Sequence, residues 1–540
     1  YTVFINITGL LIFLLCIIFN SNRKEKIRII KDRVGYGLLS IFLVFAFSAI
    51  QLLPTFELWQ YSARAGGLDF ETVTSYPFPI KHLLSFINPY YFGSPRDGSY
   101  PVYSSDWGIF WENTGYIGIV PLILAVLSII FIKEKKVLAA WIIFISSLLL
   151  ITGKFSPLYF IFSFPLFNLF RVPSKYLLLT VFSLSLMSGF TLNKIISYRR
   201  KIITTALIVL FFISVGTDEY RFSYNYPPLS ETVGWLNEPQ ILKLLPERQS
   251  RITSVGSVIL WNSVFLKNGW QDMNPFLYFR NFLYPNYNAL FSYPTSEINT
   301  GGLIPRRSAL YQSMIKNIEI DEEKMSASPS AISRSALNLA GVQYLISPYT
   351  ISEMKVKKLG EISPENGDKI LSLAVYQNEE ARNQSYISFK SYKVTTKEEM
   401  VKKFNSPQLL SDNTILVEDN DMIIARNIKA AGSSKIISRS DSLISLKTSS
   451  NANGVLVLSD TNYPGWEAYV DENPTPIKNV NLTQRGILLP QGEHNVVFKY
   501  NPKSFEAGKI ITVVTFVTTA GALFLARVFY SHKESGTHVL

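Results

Sequence analysis

The chain has 540 residues, 48% of them hydrophobic and 17% charged, with a net charge of +12. Its apolar residues gather into blocks instead of spreading at amphipathic spacing, which excludes an ordinary soluble domain and points to a membrane protein with a polar part. Cys16 is the single cysteine, and His82, His494, His532 and His538 form no metal-ligand spacing, so intrachain disulfides and a histidine-based zinc site are excluded as well.

A hydrocarbon core of about 30 Å requires about 20 apolar helical residues. Seven stretches come near that length: Thr2 to Asn20, Val34 to Leu53, Tyr116 to Ile132, Val137 to Thr152, Tyr176 to Leu192, Ile202 to Gly216 and Lys509 to Tyr530. The two shortest are expected to extend into their flanks. Basic residues in such a chain first serve orientation, because Lys and Arg stay on the cytoplasmic side. Ser21 to Arg33, Lys133 to Lys136, Tyr198 to Lys201 and the tail Ser531 to Leu540 are therefore assigned inside, with no nucleic-acid partner. The same assignment puts Tyr1 outside with no leader before the first span, so further residues, including another span, are expected upstream.

The expected organisation is a transmembrane bundle over 1–216, with outer loops 54–115 and 153–175. A mixed extracytoplasmic α/β region follows over 217–370, then a β-sandwich over 371–504, a last helix over 505–530 and a cytoplasmic tail over 531–540. The first outer loop is rich in Pro, Gly and Tyr. The second, "GKFSPLYFIFSFPLFNLFRVPSKY" (Gly153 to Tyr176), is too apolar for free solution and should lie on the membrane surface or partly re-enter. In "SALNLAGVQYLISP" (Ser335 to Pro348) a helical pattern meets Gly341 and then a β-type run. From Leu371 onward short alternating segments, among them "LAVYQN", "GVLVLSD", "WEAYVDE" and "NVVFKY", are separated by turn residues, the pattern of an antiparallel sandwich.

Several stretches, "QLLPTFELWQYSAR", "WENTGYIGIVPL", "NLFRVPSKY", "LNLAGVQYLI" and "YPGWEAYVD…GEHNVVFKYNP", together resemble the YfhO family of bacterial multispanning membrane proteins. The resemblance implies a GT-C-like helix bundle, and a glycosyltransferase that takes sugar from a polyprenyl phosphate and decorates an envelope polymer such as lipoteichoic acid at the bacterial cytoplasmic membrane. It also implies a catalytic acid in the outer loop that follows the family's first span, and on this reading that loop lies upstream of Tyr1. No nucleotide-binding loop is present, in keeping with a lipid-linked donor, and no cofactor is expected.

Arg171 and Lys175 stand outside, next to a span, where positive charge opposes the orientation rule. They are read as ligands of the donor phosphate, Arg offering a fork of donors and Lys a point charge, with snorkelling to headgroups as the alternative. Arg64 in "YSARAGG" could share that phosphate or be a solvated loop residue. Within the chain, Asp106, Glu112 and Glu57 are the outer carboxylates nearest span ends and the candidates for a general base, against solvation or pairing with a cation. Trp466 and Tyr469 are candidates to stack on sugar, against packing in the sandwich. The rival to the enzyme is a non-catalytic, membrane-anchored carbohydrate-binding or envelope-assembly protein.

Overall fold

The computed structural model describes residues 35–101, 108–165, 167–197, 201–246, 248–297, 302–364, 372–406, 413–424 and 429–535. The expected first span, Cys16, the basic stretch 21–33, Asp106 and the tail beyond 535 lie outside the described residues. The chain divides into two compact units. One takes in Gly66–Gly234 and Trp261–Leu277 with the chain up to Leu39; the other comprises Ser40–Ala65, Trp235–Leu260 and Tyr278–Leu540.

Three described helices are long and apolar enough to cross a membrane: Pro173–Ser197, Lys201–Tyr224 and Lys503–Val528. The last two have no fully buried residue in their apolar window, so most of each helix surface is left for lipid, with one side packed on neighbouring helices. The stretch expected as one span from Val34 to Leu53 is instead two helices, Gly35–Phe47 and Ala49–Tyr61, bent by 78° at Ser48; counted as one broken span they bring the number to four. Apolar length revealed the segment, but composition does not encode the break.

In the first unit, helices Ile119–Leu127, Lys135–Ile151 and Leu177–Ser197 pack around Ala125, Ala140, Ile143, Ile151, Leu179 and Met187, each nearly or fully buried. Small residues at these contacts let the helices approach, and one polar bond crosses between them, Ser147 Oγ to Thr180 Oγ1 at 2.8 Å. Lys135–Ile151 has 17 residues and Ile119–Leu127 only 9, extended by a 3-10 turn to Phe131. The helix expected to end at Gly216 runs on to Asn225. Over this bundle folds the first outer loop, held by Phe78, Phe86 and the buried His82, whose ring stacks on Phe92 with centroids 4.6 Å apart. Burial, with repulsion from Lys81, pushes the His82 imidazole down to about 4. The unfolded chain, with a histidine near 6.5, then binds more protons than the folded one between these values, and stability falls as pH drops through that window. Acidification from pH 6.5 to 5 should cost about 2 kcal/mol in thermal or denaturant melts. Substituting His82→Gln should flatten this dependence, and an equally steep slope in the variant would assign it to other groups.

In the second unit, the pair of helices broken at Ser48 packs on the last helix, Lys503–Ser535. Thr512 sits at the break. Its hydroxyl accepts from Ile50 N at 3.1 Å and lies 3.3 Å from the carbonyls of Ala46 and Phe47, occupying backbone groups that the bend releases. Gly508 makes the close approach possible, since a Cβ there would collide with Ala49 O and Ile50 Cα.

The same unit carries a four-stranded sheet in the order Arg251–Ser254, Val342–Ser347, Leu373–Asn378, Val356–Ile362, its first pair parallel and the others antiparallel. Helix Ala331–Leu339 is capped by Ser330 Oγ accepting from Ser333 N, and the chain turns at Gly341 (φ +66°) into the Val342–Ser347 strand, as the sequence pattern indicates. "LAVYQN", grouped by pattern with the strands that follow it, pairs here instead; a strand buried on both faces carries no mark of its partner.

Beyond it come a six-stranded and a five-stranded sheet. Leu456, Leu458, Ile487 and Leu489 of the first share one apolar cluster with Ile444, Leu446, Val470, Val496 and Phe498 of the second. Strands Trp466–Val470 and Asn473–Thr475 are joined by Asp471 and Glu472, both at positive φ, a two-residue hairpin turn. Asp460 anchors the unit internally: Arg251 Nη2 reaches it at 2.8 Å, Arg439 Nη2 at 2.6 Å and Arg485 Nη1 at 3.9 Å, with Arg251 and Arg485 buried and Arg439 partly exposed.

Candidate functional site

"FRVPSKY" enters the Pro173–Ser197 helix through a strained step. Val172, β-branched and buried, stands at φ +68°, and Pro173 then opens a 3-10 turn over Pro173–Tyr176. A β-branched residue in the left-handed region is held there by its surroundings, and such strain gathers at positions that aim side chains. It leaves Arg171 exposed and buries Ser174, whose hydroxyl donates to Tyr76 O at 3.2 Å.

Lys175 lines a cavity of about 510 Å³ together with Glu112, Tyr116, Trp111 and Ser174. Lys175 Nζ lies 3.5 Å from Glu112 Oε1, both side chains partly exposed. A pair in this setting is worth at most about 1 kcal/mol, so a ligand can displace one partner at little cost. Beside it the Tyr226 phenol is pushed up by burial and by the charge of Glu112. The structure thus brings together two predicted residues, Lys175 and Glu112. Arg171 does not line this cavity.

Two residues that the sequence reading passed over complete the site. Tyr116 OH donates to the carboxylate of Asp218, 2.8 Å from each oxygen, and Asp218 Oδ2 also accepts from Ile119 N at 2.9 Å. Asp218 therefore holds the first turn of the Ile119–Leu127 helix, where a negative charge is favourable, and fixes the phenol that borders the cavity. Gly118, at φ +88°, lets the chain turn so close that a Cβ would stand 3.3 Å from Asp218 Oδ2. The signal was present: an acidic pair in "VGTDEY" closes an apolar run, and "GYIGIVPL" offers a glycine before a helix.

The other candidates fall in the second unit. Arg64 is half-buried with its guanidinium beside Gly302, and Glu57 accepts a hydrogen bond from the Ser504 hydroxyl. Trp466 and Tyr469 point to opposite faces of one strand. Trp466 is half-buried beside the apolar cluster, with the Arg485 guanidinium 3.6 Å above its ring and Tyr500 at 5.2 Å; Tyr469 OH donates to Glu467 at 2.9 Å. They do not form a joint sugar platform.

Comparison with known families bears on these strands. Residues 344–512 match the family model of the bacterial membrane protein YfhO. This supports the YfhO family read from the residues, and with it a membrane protein. The YfhO match runs from within the Val342–Ser347 strand to the first turns of the last helix, whereas the cavity at Lys175 lies outside the matched residues. No curated protein and no solved structure matches the chain.

Proposed function

We propose that this protein is an integral-membrane glycosyltransferase of GT-C type. It moves a sugar from a polyprenyl-phosphate donor to an envelope polymer such as lipoteichoic acid, outside the bacterial cytoplasmic membrane. The observation that carries the reading is the meeting of an ammonium, a carboxylate and two aromatic side chains in one cavity at the start of an apolar helix. That volume and mix of apolar walls with a few converging polar groups suit a small-molecule headgroup.

In this reading Lys175 pairs with the donor phosphate, and Glu112, released from Lys175, takes the proton of the acceptor hydroxyl. The hydroxyl oxygen attacks the anomeric carbon, the bond from that carbon to the phosphate oxygen breaks, and its electron pair leaves with the phosphate, inverting the centre. Trp111 and Tyr116 offer faces to the sugar ring.

Donor binding tests the site. In detergent or membranes, Lys175→Ala should weaken binding of a polyprenyl-phosphate-linked sugar about ten- to hundredfold, the worth of one charge-assisted hydrogen bond. Arg171→Ala, at an exposed position, should change it little. Unaltered affinity in a folded Lys175→Ala protein would return Lys175 to an interfacial cation that snorkels to headgroups.

A further inference from the structure

A second cavity, of about 540 Å³, is built within the second unit where the end of the Ala49–Tyr61 helix meets the sheets. Its walls group by chemistry. Tyr61, half exposed, and Tyr463 stand edge to face with centroids 6.0 Å apart. Asn462 donates to Asn479 Oδ1 at 3.1 Å, so the pair leaves one amide oxygen and one amide nitrogen over for a ligand. Ser308, a lining residue only 3% exposed, has a hydroxyl with no hydrogen-bond partner among the described residues. A buried hydroxyl without a partner costs free energy that a ligand hydroxyl or phosphate oxygen would recover.

Charge in the cavity is one-sided. Arg307 is neutralised by Glu418, with bonds of 2.6 and 2.8 Å to its two oxygens. Arg306 instead gives its hydrogen bonds to the carbonyls of Ser62 and Ala65, which orient the guanidinium without cancelling its charge. Lys397 is exposed at the rim, and the described residues of the cavity lining include no carboxylate. Aromatic faces, spare amides, hydroxyls and uncompensated cations together suit a sugar ring that carries phosphate.

We infer that this cavity binds an anionic saccharide, a sugar unit bearing phosphate, at a site separate from Lys175. Such a group occurs both on a lipid-linked carrier and along a phosphodiester glycopolymer. The inference stands without the transferase reading, because a non-catalytic carbohydrate-binding protein would use the same cavity.

The test uses the full detergent-solubilised chain and glucose 6-phosphate as probe, with glucose and inorganic phosphate as controls, read by calorimetry. Saturable binding of glucose 6-phosphate is expected, weakened about tenfold by Lys397→Ala or Tyr61→Ala, each the loss of about one charge-assisted hydrogen bond or one ring contact. Both positions are exposed, so either variant should fold. The part of the binding that Lys397→Ala and Tyr61→Ala weaken should persist in Lys175→Ala, whose cavity would take the same chemistry, which separates failure here from failure of the first site. Displacement by a soluble glycerol phosphate oligomer would assign the polymer as the natural source, and displacement by a polyprenyl-phosphate-linked glucose the carrier. Absent binding, equal binding by both variants, or competition by inorganic phosphate as strong as by the sugar phosphate would overturn the inference.

Discussion

Glu112→Gln is expected to lower sugar transfer by about 10²–10⁴-fold, the usual contribution of a positioned general base. Donor affinity should hold or rise in the same variant, because Glu112 lies 3.5 Å from Lys175 and competes with the phosphate for it. This opposite movement of binding and turnover separates a base from a mere structural partner, whose loss would weaken both. The measurement pairs a transfer assay in membranes with equilibrium binding of the lipid-linked donor. Turnover at the parental level in Glu112→Gln would give the proton to another carboxylate and leave Glu112 as the counter-ion of Lys175.

Asp460→Asn should cost about 3–5 kcal/mol of stability, the penalty for removing one member of a buried ionic group and leaving the rest uncompensated. Burial alone would hold the Asp460 carboxyl up, but Arg251, Arg439 and Arg485 outweigh it and hold the group below the usual carboxylate range. A depressed carboxylate contributes stability above its unfolded value near 3.8, and that contribution is lost as pH falls through its lower folded value. At neutral pH the full effect of the substitution should therefore be visible in denaturant or proteolysis midpoints. A change under about 1 kcal/mol would mean that water or a neighbour compensates the three guanidinium groups. Cavity binding at Lys175 should not require Asp460.

What could be read from the sequence follows from how local each signal is. Apolar length found the Pro173–Ser197, Lys201–Tyr224 and Lys503–Val528 helices, because a span is written in consecutive residues. The break at Ser48 was not legible, since the groups that stabilise it, Gly508 and Thr512, stand at the other end of the chain. Lys175 and Glu112 were each visible as an odd charge near a span, but their pairing depends on tertiary packing. Asp218 was missed because the helix outlasts its apolar run and carries the acid to Tyr116. Trp466 and Tyr469 could have been separated by counting, since three positions along a strand change the face. Arg251, Arg439, Asp460 and Arg485 come from widely spaced segments, and no window of sequence holds them together.

The bend at Ser48 also bears on the order in which the protein is made. Synthesis runs from the N-terminus, so the broken helix pair leaves the ribosome long before Thr512 exists. During that interval the carbonyls of Ala46 and Phe47 and the amide of Ile50 lack the hydroxyl that later occupies them, and hydrocarbon offers nothing in exchange. The bend is thus completed by a hydroxyl and a glycine that are synthesised more than 450 residues after it, so its full set of hydrogen bonds forms only once the Lys503–Ser535 helix has docked.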